Sequence, residues 1–177
     1  MRKAELRRAA AELGGERMLS GADRETFYNR MLIREQIENY IDALNHRDWD
    51  RLSETLCEDV VWSAGAPFDQ RFAGRRAFMD MLRSVQTYQF GFVFQMGHGI
   101  VVRQLEGDRA TACHTLHIVG NSFETIGLYY DHLRREPDGV WRFSQRDYRP
   151  TYHDPQPAPG RIYRQLPDPH GDPLQPL

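Results

Sequence analysis

The sequence predicts an α+β fold: three N-terminal helices packed against a strongly curved antiparallel sheet. Three observations carry that expectation. Between Gln89 and Tyr148, apolar and polar residues alternate at the period of a half-buried strand. The alternating runs are divided by Gly107-Asp108, Gly120-Asn121-Ser122 and Pro137-Asp138-Gly139, turn residues that tolerate positive φ. Ahead of them, apolar residues recur at helical spacing. Helices followed by strands give α+β, not a parallel α/β fold.

Taken in order, Arg2 to Leu13 has helix-forming composition and is ended by Gly14-Gly15. Residues 1–22 thus read as a helical arm. Asp23 is the expected cap of the main helix, whose buried stripe is Phe27, Leu32 or Ile33, Ile37, Tyr40, Ile41 and Leu44. It ends near Asn45-His46. Asp48 caps a second helix with Trp49, Leu52 and Leu56 inside and its end at Glu58-Asp59. Val60-Val61-Trp62 reads as a short first strand, Gly65 to Phe72 as a loop, and Ala77 to Val85 as a third helix burying Phe78, Met81, Leu82 and Val85.

The first long strand places Phe90, Phe92, Phe94 and Met96 on one face, continuing to His98, Ile100 and Val102. Gly91, Gly97 and Gly99 allow bends or bulges there. The next strand has Ala110, Ala112, His114, Leu116 and Ile118 on one face and Thr111, Cys113, Thr115, His117 and Val119 on the other. Phe123–Arg135 and Val140–Tyr148 complete the meander, and residues 23–150 form the domain. Beyond Pro150, prolines dominate residues 151–177, which form either a disordered tail or an extended strap held by Tyr152, Ile162, Tyr163 and Leu166.

The 177 residues make one domain with a sizeable core; 40% are hydrophobic and 27% charged, ordinary for a soluble globular protein. A net charge of −2 argues against a nucleic-acid partner. Cys57 and Cys113 form no CxxC pair, which fits reduced thiols in the cytoplasm. Met1 to Arg17 lacks the apolar core of a signal peptide, and no apolar run approaches the roughly 20 residues that span a bilayer.

Two stretches carry a resemblance. They are Ile37 to Leu52, with Tyr40, Asn45, Asp48 and Trp49, and Gly127 to Arg146, with Tyr129, Asp131, Trp141 and Phe143. Together they resemble the SnoaL-like branch of the nuclear transport factor two superfamily, over about Arg24 to Tyr148. The resemblance implies a cone of curved sheet and homodimers or homotrimers. It spans polyketide cyclases, scytalone dehydratase, a bile-acid dehydratase, a dehydrochlorinase and non-catalytic dioxygenase subunits, so the fold does not fix the function.

The dehydratase-like members pair an Asp near the end of the first long helix with a His on the sheet as general base. The matching helix position is Asn45, an amide, and the matching sheet position falls near Met96, with His98 two residues on. Tyr40 matches an active-site Tyr, or is a core aromatic. Arg146 matches an Arg that binds substrate, or forms an ion pair.

From the residues themselves, His98 is the candidate for proton transfer, at the end of a stripe (Phe94, Met96) expected to line an apolar pocket; it is otherwise a core-bonded histidine. His114 and His117 point to opposite faces, so one of them shares the cavity. Asp131, on the face of Tyr129, is a general base with raised pKa or a salt-bridge partner of Arg146. Trp62 joins the expected substrate contacts. The histidine spacing matches no zinc signature, and no nucleophile motif is present.

The expected function is therefore proton transfer without metal or organic cofactor: dehydration, isomerisation or cyclisation of a small, largely apolar, ring-containing molecule. His98 would be acid or base, Tyr40 and Asn45 hydrogen-bond donors to a substrate oxygen, and Arg146 an anchor. The alternative is a non-catalytic ligand-binding or scaffold protein of the same fold.

Overall fold

The computed structural model describes residues 20–84, 93–120 and 123–155. The expected helix Arg2–Leu13, the aromatics Phe90 and Phe92, Val85 and the chain from residue 156 lie outside the described residues.

Among the described residues three helices, α1 (Gly21–His46), α2 (Trp49–Glu54) and α3 (Arg75–Ser84), cover a six-stranded curved sheet. Its strands are β1 (Leu56–Ala64), β2 (Gln70–Ala73), β3 (Val93–Glu106), β4 (Arg109–Gly120), β5 (Glu124–Arg135) and β6 (Trp141–Asp154), in the order β2-β1-β6-β5-β4-β3. The α+β class is as expected. The sheet is mixed, because β1 runs parallel to β6.

α1 is capped by Ser20, not Asp23. The Ser20 hydroxyl accepts from the Asp23 N–H while the Asp23 carboxylate accepts from the Ser20 N–H, a capping box. Its inner stripe is Asn29, Ile33, Ile37, Tyr40, Ala43 and Leu44; Phe27 is exposed. Asp48 caps α2 as expected, but α2 stops at Glu54. Thr55 turns its hydroxyl back to Leu52 O and its carbonyl accepts from Phe143 N, so Leu56 already belongs to the sheet. Gln70–Ala73, most of it within the stretch expected as loop (Gly65 to Phe72), pairs back onto β1 as a short edge strand. α3 buries Phe78, Met79 and Leu82. β6 runs on to Asp154 beyond its pairing with β1, where Pro150 needs no N–H partner on that side.

One local feature redirects β3. His98 pairs with Thr115, yet Val101 pairs with Cys113, so β3 carries one extra residue around Gly99, whose φ is +63°. The alternation changes phase there. Val93, Gln95 and Gly97 face the helices before the bulge, and Ile100 and Val102 face them after it. The expected single stripe is therefore split. Phe94, Met96 and His98 lie on the sheet's outer face, away from the helices, and His98 is exposed.

Candidate functional site

The inner face of the sheet carries an unusual concentration of polar groups. β4 contributes His114, β5 Tyr129 and Asp131, β6 Arg146, and α1 Tyr40, all at most 3% exposed. Strand periodicity sets this up: Tyr129, Asp131 and Leu133 alternate inward on β5, and Asp131 stands directly across from Arg146. Arg146 Nε donates to Asp131 Oδ1 at 2.8 Å and Nη2 to Oδ2 at 3.3 Å. The guanidinium also lies 3.9 Å from the ring centre of Tyr40 and 4.1 Å from those of Tyr129 and Phe143. His114 Nδ1 is 3.3 Å from Asp131 Oδ2, within ion-pair reach but off the line of a hydrogen bond, and its ring stacks on Tyr129 at 5.3 Å.

Charge compensation sets the ionisation of this array. Burial opposes the Asp131 carboxylate, but Arg146, followed by His114, outweighs it and holds Asp131 below the usual carboxylate range. Burial likewise opposes the Arg146 cation, and Asp131 overcomes it, so Arg146 is held more firmly charged than a free guanidinium. Burial raises Tyr40 and Tyr129, against the pull of Arg146, and both are neutral phenols.

Beside Tyr129 a cavity of about 160 Å³ opens. Trp62 and Gln70 come from β1 and β2, with Phe68 from the loop between them. Met81 and Leu82 come from α3, Val93 from β3 and Ile118 from β4, and Phe123, Tyr129 and Tyr148 complete the wall. Its two phenols have opposite hydrogen-bonding character. Trp62 Nε1 donates to the Tyr129 oxygen at 2.9 Å, and among the described residues the Tyr129 proton has no acceptor. Thr125 donates its hydroxyl proton to Tyr152 O at 2.8 Å, so the 3.1 Å contact between Thr125 and Tyr148 runs from the phenol to Thr125. Burial pushes Tyr148 up to about 12. A separate hollow of about 290 Å³ has charged walls that include Glu106, Arg109 and Arg134, and shares no residue with this cavity.

The sequence-predicted residues fall into three groups. Tyr40, Asp131, Tyr129 and Arg146 come together in the buried array, and Trp62 and Tyr129 line the cavity. Asp131 and Arg146 form an ion pair, Tyr40 is buried edge-on to Phe143, and His114 is the histidine on the inner face. His98, Phe94, Met96 and His117 are elsewhere. The Gly99 bulge leaves the first three on the outer face, and His117, also on that face, holds Glu124 at 2.6 Å.

Asn45 is engaged in structure. Its Nδ2 donates to Gln95 O and its Oδ1 accepts from Gln95 N, both at 2.8 Å, which clamps the end of α1 to β3. The helix end therefore meets the strand at Gln95, one residue before Met96. Gln95 escaped notice because a polar residue among aromatics looks like a solvent-facing position. Its side chain is buried, with Oε1 unpartnered among the described residues. Among the described residues, no three His, Cys, Asp or Glu side chains gather as metal ligands, and no helix is long and apolar enough to cross a membrane.

A helix-covered curved sheet with a buried ionic array and an apolar cavity beside it defines an α+β cone protein. The chain belongs to the SnoaL-like domain family, whose model matches residues 27–147. Solved structures agree on the fold. Hexachlorocyclohexane dehydrochlorinase LinA-type3 from Novosphingobium barchaimii is 18% identical over 80% of this chain and 99% of its own, with a TM-score of 0.70. A candidate scytalone dehydratase from Novosphingobium aromaticivorans is 18% identical over 78% and 97%, with a TM-score of 0.65. A protein of unknown function from Mycobacterium tuberculosis is 18% identical over 75% and 77%, with a TM-score of 0.63. No curated protein matches the chain significantly in sequence.

Proposed function

We propose that the chain is a cofactor-independent proton-transfer enzyme, a lyase or isomerase, acting on a small, largely apolar, ring-containing molecule in the cavity beside Tyr129. The observation that carries this is the Tyr129 hydroxyl: Trp62 occupies its oxygen, and with no acceptor among the described residues its proton is left for a ligand. Donated to a substrate oxygen, that proton stabilises negative charge developing there as an enolate forms. The Arg146 cation against the Tyr129 ring strengthens the donor, since it opposes the effect of burial. His114 stacks on Tyr129 and faces the Asp131 carboxylate behind the cavity wall, so the proton acceptor expected of His98 is not among the described cavity-lining residues. The dehydratase-like and dehydrochlorinase-like neighbours are lyases by name, which supports the class of reaction.

A second reading is a ligand-binding or scaffold protein without turnover. Two observations favour it. Asn45 and Gln95 put amides where the resemblance expects an acid and a base, and the described cavity walls hold no carboxylate or imidazole. Incubation with 2-cyclohexen-1-one in D2O separates the readings. An enzyme incorporates deuterium next to the carbonyl faster than buffer does, and Tyr129→Phe loses that exchange. Binding without exchange establishes the second reading instead.

A further inference from the structure

We infer that the ligand of this cavity is an uncharged, single-ring molecule that presents a hydroxyl or carbonyl oxygen to Tyr129. The inference rests on the cavity being the ligand site and narrows what enters it.

Three features converge. The first is size. The cavity measures about 160 Å³, and an engineered apolar cavity of about 150 Å³ holds one benzene ring. There is room inside for one six-membered ring with a substituent, and a second fused ring has to project through the mouth into solvent. The second is charge. No lysine, arginine, histidine or carboxylate lines the described walls, and the Arg146 cation behind Tyr129 is already committed to Asp131. An ionised ligand entering here loses its water and finds no counter-charge. The third is hydrogen-bond polarity. Tyr129 has a proton to give, whereas Tyr148 has spent its own on Thr125. Only a ligand with an acceptor atom uses the site fully, and the flat walls of Trp62, Phe68 and Phe123 suit a planar ring.

The test uses the full chain labelled with nitrogen-15. The Trp62 indole N–H signal is assigned by its loss in Trp62→Phe. Phenol, 2-cyclohexen-1-one, 2-naphthol and benzoate are then titrated in turn. Phenol and cyclohexenone should shift the Trp62 signal saturably and displace each other. Naphthol and benzoate should bind at least tenfold more weakly. Tyr129→Phe, which removes one hydrogen bond, should weaken phenol by about tenfold. Ile118→Ala, which deepens the wall, should restore naphthol and leave benzoate excluded. Naphthol or benzoate binding the unaltered chain as tightly as phenol overturns the ligand class while the cavity remains the site. If none of the four moves the Trp62 signal, the cavity reading falls as well.

Discussion

Asp131 and Arg146 are direct cross-strand partners whose side chains form an ion pair with no exposure to solvent. A buried pair of this kind gains little over apolar residues of similar shape, but losing one partner strands the other charge. Asp131→Asn should therefore cost about 3–5 kcal/mol, measured by urea unfolding. Replacing both residues, as Asp131→Leu with Arg146→Met, should cost clearly less than the sum of the two single changes. Additive costs would mean that the pair is not coupled.

The same carboxylate sets an acid limit. Its pKa in the folded chain lies below the unfolded value of about 3.9. The sign follows directly: the stabilisation is complete at pH values above the unfolded pKa, and is lost as pH falls through the lower folded value. Wild type and Asp131→Asn should thus differ most in unfolding free energy near neutral pH, and converge as pH drops below about 4. A gap that stays constant from pH 7 to pH 3 contradicts this.

Asn45→Asp tests the helix end. Restoring the acid that the resemblance expects places a carboxylate oxygen against the Gln95 carbonyl, where an amide N–H now donates. We expect a loss of about 1–3 kcal/mol, the penalty of an unmatched buried polar group, and no gain of lyase activity. New deuterium exchange in this variant, with stability unchanged, would show that Asn45 occupies a dormant catalytic position rather than a clamp.

Gly127→Ala should distort the cavity from behind. A Cβ at this position runs into the Arg149 carbonyl oxygen and comes within 2.8 Å of Tyr148 Cε2 and 2.9 Å of Pro150 Cα. Backbone cannot yield as a flexible side chain does. Overpacking of this kind costs about 1–3 kcal/mol, and here it also displaces the Tyr148 wall. Thermal unfolding should show the loss, and phenol binding should weaken with it.

Much of the fold was legible because period and turn chemistry agreed from Ala110 to Trp141, and because α1 shows one apolar stripe. What escaped was the phase of β3. Both of its faces carry apolar residues, Phe94 and Met96 on one and Val93 on the other, so alternation alone does not say which face turns inward. A single added residue at Gly99 then reverses the answer halfway along. His98 was misplaced for that reason. The shared face of Tyr129 and Asp131 and the pairing of Asp131 with Arg146 were legible because these residues lie on regular strands, where parity holds without interruption. Gln70–Ala73 was missed because four residues are too few for alternation to register.

Among the described residues β3 ends the sheet, with β4 on one side and no strand on the other. The unpaired backbone of such a strand invites another chain to add to it. Here Asn45 takes both the N–H and carbonyl of Gln95, while Arg34 reaches Ile100 O at 2.8 Å and Arg30 reaches Val102 O at 2.7 Å. The helix thereby stands in for a seventh strand, using side chains where a strand would use main chain. Stripping those three side chains should cost solubility before it costs the fold, because the rim they guard is the place where a second molecule would start a fibre.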